Sequence, residues 1–483
     1  MAFAQREKRA FFAAVLIAVG AVFAASAACK APKYVFLFIG DGMSTPQRMA
    51  GEIFSEKIGR GPLHMNLLPY QANTRTKSAD AIITDSAAAA TAIACGVKTK
   101  NSMLGVLPNG ERVESMAELA KKCGKKVGIA TTVAIAHATP AGFYAHRKSR
   151  SLYYQIGLDL VASGFDYFCG SGLFGMEDHK KDPEYCGNIF ELARKKGYKI
   201  TTTREGWKEF KAGDKAWAIF GVNAMDFSID VNSSEPTLAE IVAKGIEVLD
   251  GPEGFFFMCE GGKIDYACHA NDAATYLRDI LAFDDAVKVA LDFQERHPED
   301  TLIITTGDHE TGGLSMGFAG AGGEFYVDML RHQNVSVEKF SEWFKAFVRE
   351  RKGEVTFEEI KPILSEKFGF AFEGSDGKYE NAKNASVRLT SKNVEVLKEA
   401  FEKDVGFVRK GVKDTTAHDV TRVYVFAQAA KNVLNSQAGV GWSSFSHTAL
   451  PTFTTAKGVK ADIVLGMKEN TDLGVRLKAL YME

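Results

Sequence analysis

The sequence lacks an excess of charge of either sign: 59 lysines and arginines stand against 60 aspartates and glutamates in 483 residues, for a formal net charge of -1. It also has no long basic run. Nucleic acid and anionic membrane surfaces are thereby excluded as specific partners, because both demand clustered positive charge. Past the amino terminus no apolar run approaches the about 20 residues that a membrane span needs, so no transmembrane helix is expected in the mature chain. Period-three glycine is missing, which excludes collagen, and a hydrophobic share of 46% excludes a disordered chain. No internal repeat or low-complexity linker marks off separately moving units. The usual prior of about 150 residues per domain would suggest three domains, yet nothing in the chain divides it that way.

What is present begins with an export signature. Arg6, Lys8 and Arg9 precede an apolar stretch from Ala10 to Ala25, and Ala25-Ser26-Ala27 offers the small residues that a signal peptidase reads. Residues 1–28 are therefore expected to be a signal peptide and 29–483 the mature chain, periplasmic or secreted. Lipidation of Cys29 is the less favoured ending, because Ser26 stands where lipoprotein signals carry leucine. Export makes disulfides possible among Cys95, Cys123, Cys169, Cys186, Cys259 and Cys268. Spacing does not choose the pairing. Cys169 and Cys186, which flank a polar loop, are the first expected bridge, and Cys95, inside an apolar helical run, is expected as a buried free thiol.

Short apolar runs at Tyr34 to Ile39, Val127 to Thr132, Trp217 to Gly221, Phe255 to Cys259 and Leu302 to Thr306 read as buried strands. Helical stretches lie between them, at Val113 to Lys122, Tyr153 to Ala162 and Thr237 to Leu249. This alternation predicts an α/β fold with a large, mostly parallel central sheet and helices on both faces. From Ser315 to roughly Val440 the pattern changes to charged amphipathic helices at Ser336 to Glu350, Thr356 to Lys367 and Ser391 to Lys403, read as a helical insertion on a single catalytic domain.

Ligands of such sheets bind beyond the carboxyl ends of the strands, and Asp41, Glu260 and Asp308 each stand at a strand end. Asp265 and His269 are one helical turn apart, a spacing that lets both reach one metal ion. Asp308 and His309 are adjacent. Mixed oxygen and nitrogen ligands fit zinc, and an all-oxygen set fits magnesium. Ser86 opens the alanine run Ala87 to Ala94, which Gly96 stops. Taken alone it would merely cap that helix. Beside a metal centre it could instead be a nucleophile whose proton a metal ion helps to remove, since no serine, histidine and aspartate arrangement is evident nearby.

These residues carry a resemblance to alkaline phosphatases. It runs through Phe38-Ile-Gly-Asp41-Gly-Met43, Thr84-Asp-Ser86-Ala, Gly96-Val-Lys-Thr99, His137-Ala-Thr139-Pro140, Tyr144-Ala-His-Arg-Lys-Ser-Arg150, Glu260 to His269 and Gly307-Asp-His309, in order over most of the mature chain. The resemblance implies a homodimeric hydrolase of small phosphate monoesters, active at alkaline pH through a phosphoserine at Ser86, with two zinc ions and one magnesium ion. It assigns Asp265, His269 and His447 to the first zinc, and Asp41, Asp308 and His309 to the second. Asp41 would also bridge to magnesium, with Thr139 and Glu260. Arg150 would clamp the phosphate, a task that suits the guanidinium fork. His137 and Tyr266 depart from the best-known bacterial pattern and are expected to modulate the third metal site and phosphate affinity. The remaining histidines, His64, His146, His179, His297, His332 and His418, match no ligand and are expected to be structural. The alternatives are a phosphodiesterase or other hydrolase of the same superfamily, and a non-catalytic phosphate- or zinc-binding protein.

Overall fold

The computed structural model describes residues 30–173, 180–230, 234–373, 379–380, 387–411 and 424–482. The expected signal segment, Cys29, His179 and His418 lie outside those residues.

Strands β1 (Tyr34–Gly40), β2 (Tyr70–Thr74), β3 (Lys126–Ala134), β4 (Tyr167–Ser171), β5 (Tyr198–Thr201), β6 (Lys215–Ile219), β7 (Phe255–Gly261), β8 (Thr301–Gly307) and β9 (Thr452–Gly458) form one sheet, in the order β2-β9-β8-β1-β7-β3-β4-β6-β5. Every pairing is parallel except those of β9, which runs antiparallel to both β8 and β2. The central strands are apolar along their whole length because both faces are covered. Val35, Leu37 and Ile39 of β1 pack with Ile129, Phe256 and Met258 on one side. Phe36 and Phe38 pack with Phe255, Phe257 and Phe283 on the other. The edge-to-face contacts of Phe36 with Phe255 and Phe38 with Phe283, at 5.1 and 5.9 Å, each add about 0.5–1.5 kcal/mol to simple burial.

The expected strands and helices are all present, with shifted ends. β6 starts and finishes two residues earlier than its apolar run suggested, and β7 continues through Glu260 to Gly261. Between 315 and 440 lie the helices Val337–Glu350, Phe357–Phe368, Ser391–Arg409 and Val425–Gln437. Short strands at Phe370–Glu373, Tyr379–Glu380 and Val387–Arg388, which the charged sequence did not signal, accompany them. Phe340, Phe344, Phe401 and Phe426 form an aromatic centre there, continuous with the core of the sheet. Lys431 and Asn435 then donate to the carbonyls of Ala270 and Asn271, at 2.8 and 2.7 Å, just past His269.

The expected Cys169–Cys186 bridge does not form, and the six described cysteines make no disulfide with one another. Cys169 is sealed inside β4, where burial pushes its thiol up to about 12, whereas Cys186 is exposed on the far side of the polar loop. Cys95 is a buried thiol, as expected. No described helix is long and apolar enough to cross a membrane.

Candidate active site

Register brings the site together. Ile39 of β1 lies level with Glu260 of β7 and Thr306 of β8, and Gly40 is level with Gly261 and Gly307. Asp41 and Asp308, each one residue further, therefore leave the sheet side by side with Glu260 at its carboxyl rim. The short helix Lys263–His269 begins immediately after β7 and carries Asp265 and His269. Thr139 sits on the four-residue helix after β3 and donates to Asp41 Oδ2 at 3.2 Å.

His447 arrives from the far end of the chain, on a two-residue strand paired antiparallel with Glu310–Thr311. Its ring stacks on His309, with centroids 3.6 Å apart.

The ligand-type atoms form three overlapping groups: Asp265, His269 and His447; Asp41, Asp265 and His309; and Asp41, His137 and Glu260, the atoms of each lying within 4.8 Å of one another. Hydrogen bonding fixes which ring nitrogens face inward. His269 Nδ1 lies 2.7 Å from the carbonyl of Phe445, and His447 Nδ1 lies 2.9 Å from that of Thr84. A carbonyl can only accept, so both Nδ1 atoms carry a proton, and both Nε2 atoms turn towards Asp265, at 3.3 and 3.8 Å. Those two Nε2 atoms stand 3.2 Å apart. Two ring nitrogens at that distance repel unless a proton or a metal ion sits on one of them.

Electrostatics point the same way. Asp41 Oδ1, Asp308 Oδ2 and Glu260 Oε1 are buried with no hydrogen-bond partner. Burial, with Asp308, Asp265 and Glu260 adding to it, raises the Asp41 carboxyl well above its usual range. Burial likewise lifts Asp308 to about 8 and Glu260 to about 7. For Asp265 burial works upward too, but the imidazoles of His269, His447 and His309 outweigh it and hold the carboxyl well below the normal value. Burial and the neighbouring His447 keep His309 neutral. Buried carboxylates crowded in this way are unfavourable alone and favourable around divalent cations. The residues present thus fit a polynuclear metal centre.

Ser86 is the first residue of the helix Ser86–Cys95. The cap itself is Asp85, whose Oδ1 accepts from the backbone N–H of Ala88 at 3.0 Å, so the reading of Ser86 as a mere cap is replaced. Its hydroxyl is left free to face the rim, 3.1 Å from His309 Nε2. Asp85 Oδ2 accepts from Arg150 Nη1 at 3.1 Å, and Arg150 Nη2 lies 3.0 Å from His137 Nε2. A guanidinium only donates, so His137 Nε2 must accept and its Nδ1 must carry the proton. Nδ1 faces Asp41 and Glu260 at 3.9 Å, carrying a proton that meets no hydrogen-bond acceptor. Burial, and Arg150 after it, lower the His137 imidazole to about 3, keeping it neutral.

All twelve residues singled out in the sequence converge on this rim. Tyr266 sits at its edge, its ring 6.1 Å from that of His137. The other described histidines lie elsewhere. His64 pairs with Asp284, for example, and His146 with Glu118.

Three contributors escaped the sequence reading. Asp85 holds Arg150. Thr131 donates to Glu260. Thr311 donates to Asp265 Oδ1 at 2.5 Å. Only Asp85 left a signal, as a capping residue before an alanine run.

Residues 32–482 match a family profile described as alkaline phosphatase. "Alkaline phosphatase 4" of Bacillus subtilis is 30% identical over 91% of this chain and 86% of its own length. The "Repressible alkaline phosphatase" of Saccharomyces cerevisiae is 28% identical over 95% and 83%. Among solved structures, the alkaline phosphatase of Thermus thermophilus superposes with a TM-score of 0.73 at 25% identity, covering 93% of this chain and 91% of that one. A cold-active alkaline phosphatase from Shewanella sp. gives 0.75 at 23%, over 93% and 99%.

Proposed function

The chain belongs to the alkaline phosphatase family and is a metal-dependent phosphomonoester hydrolase, and on that premise we propose that Ser86 is its nucleophile, at a site built for two zinc ions and one magnesium ion. Asp265, His269 and His447 would hold one zinc, and Asp41, Asp308 and His309 the other. Asp41, Thr139 and Glu260 would hold the magnesium. Such ions, when bound, supply Lewis acidity and offset charge on the oxygens entering and leaving phosphorus. The observation that carries the reading is the contact of Ser86 Oγ with His309 Nε2 at 3.1 Å, with Arg150 tethered one residue away through Asp85.

This chain's own groups do the following. Arg150, kept in place by its Nη1 bond to Asp85, offers its remaining N–H groups to two non-bridging phosphate oxygens. The first-turn N–H groups of the Ser86–Cys95 helix and its dipole favour the same anion. The Ser86 Oγ–P bond forms as the bond from phosphorus to the alcohol oxygen breaks, and water then releases phosphate from the serine. His137, neutral, accepts from Arg150 through Nε2 and so orients it, and turns its Nδ1–H to the space beside Asp41 and Glu260. Tyr266 closes the edge.

The test is a comparison of an aryl phosphate monoester with its diester, alongside metal analysis of the purified protein. Monoester turnover rising towards alkaline pH, with zinc and magnesium bound, is expected. Faster diester turnover would favour the phosphodiesterase reading.

Homodimerisation and export belong to the same proposal. Met49, Met316 and Leu450, all more than a third exposed, line one open apolar groove with Pro46 and Pro451. A second subunit covering it would remove that area from water, and light scattering should give about twice the chain mass. Export through residues 1–28 would deliver the enzyme to phosphate esters outside the cytoplasm.

A further inference from the structure

The reading above uses every buried carboxylate at the sheet rim except Glu310, which follows His309 directly. Glu310 belongs to none of the three groups that could hold an ion, yet it is fully buried. Four donors converge on its two oxygens, two from its own turn and two from remote segments. Oε1 accepts from the side-chain amide of Gln47 and from the backbone N–H of Leu314 at 3.2 Å. Oε2 accepts from the hydroxyl of Thr448 and from the backbone N–H of Gly313 at 3.0 Å.

Each segment carries a rim residue. Thr448 is the neighbour of His447, and the two-residue ribbon pairs Thr448 with Glu310 and His447 with Thr311. The same Gln47 amide also donates to the carbonyl of Thr311 at 2.8 Å, while its oxygen lies 3.3 Å from the backbone N–H of Ser44, in the turn that follows Asp41. Glu310 itself continues the Asp308-His309 turn. One side chain thus fastens together the carriers of Asp41, of Asp308 and His309, and of His447, the first and last about 400 residues apart in sequence. His447 stands in a two-residue strand after the exposed Phe445 and Ser446, held otherwise by its Nδ1 bond to the Thr84 carbonyl and its stack on His309.

We propose that Glu310 is a positioning residue for the metal centre: without touching an ion, it sets the approach of His447 to Asp265 and His269 through Thr448. The inference rests on the proposed ligand set. Supporting side chains of this kind typically change metal affinity or activity by about 10- to 100-fold when removed.

The test uses the full mature chain loaded with zinc, and follows zinc release into a chelator-dye mixture together with KM and kcat for an aryl phosphate. Glu310→Gln places an N–H₂ group where an acceptor is needed. Thr448→Val removes only the hydroxyl, and Thr448→Ser keeps it. We expect zinc release at least tenfold faster in Glu310→Gln and Thr448→Val, with Thr448→Ser near wild type. The Glu310→Gln effect should shrink when made in the Thr448→Val background, because both act through one hydrogen bond. KM should change less than kcat.

Wild-type protein that bound no zinc would sink the ligand assignment. Wild-type protein that held zinc, with both variants releasing it at the wild-type rate, would overturn the role of Glu310 alone. Should Glu310→Gln fail to fold, the Thr448 pair decides: equal release by the Val and Ser variants overturns the proposal.

Discussion

Asp85 joins two tasks in one carboxylate, one oxygen capping the helix that presents Ser86 and the other holding Arg150 beside it. Asp85→Ala should therefore cost about 1 kcal/mol of stability for the lost cap. It should also lower kcat/KM for a monoester by roughly tenfold or more, since a charged hydrogen bond is worth about 1.5–3 kcal/mol. Steady-state kinetics and a denaturant titration would show both, and an unchanged kcat/KM would detach Arg150 from that tether. At this scale the sequence revealed residue types better than their partners. Asp41, Glu260, Asp265, His269, Asp308 and His309 were legible because strand ends and helical spacing locate them. His447 was legible only through family resemblance, since a lone histidine in Ser-Phe-Ser-His-Thr carries no local sign of the ribbon that brings it in. The Cys169–Cys186 expectation failed because flanking one loop says nothing about burial: one sulfur faces the core and the other faces solvent.

The helix behind Ser86 shows how an element fixes a side chain. All ten residues of Ser86–Cys95 are buried, so every face is packed, and the alanines leave no room for a larger side chain where neighbours come close. A Cβ on Gly142 would lie 2.7 Å from that of Ala90. Ala90→Leu should thus overpack the contact and destabilise by roughly 1–3 kcal/mol, measurable as a lower melting temperature, together with a loss of kcat as Ser86 is displaced. Full stability in that variant would show that the helix tolerates movement. The parallel strands of the sheet centre were readable because both their faces are apolar. β9 was not, because its Thr-Phe-Thr-Thr-Ala-Lys-Gly sequence looks polar. Its threonines are satisfied across the sheet instead, Thr454 with Thr306 and Thr455 with Thr305, each at 2.7 Å. β2 was hidden too, being an edge strand with alternating exposure.

For the whole molecule, near-neutral net charge conceals a carboxylate-rich rim that only cations make comfortable. Without metal, the raised carboxyls of Asp308, at about 8, and Glu260, at about 7, bind protons more tightly in the folded state than in the unfolded one. Their contribution is present at low pH and lost as pH rises through those values. His269, raised to about 9 by Asp265 against the opposing effect of burial, acts in the same direction. Chelated protein should therefore lose thermal stability as pH rises from about 4, the ordinary carboxyl value, to about 9, with the carboxyl share gone by about pH 8. Zinc-loaded protein should not, because bound cations favour the deprotonated ligands. Parallel melting curves across that range would reveal the divergence, and matching slopes would argue against a metal centre at the rim.

The most direct measurement is turnover of an aryl phosphate by zinc- and magnesium-loaded Ser86→Ala protein, with metal content determined on the same sample. The expected result is a fall in kcat on the order of 10³-fold or more with metal content near wild type. Turnover that survives at close to the wild-type rate, with the metals in place, would contradict Ser86 as the nucleophile.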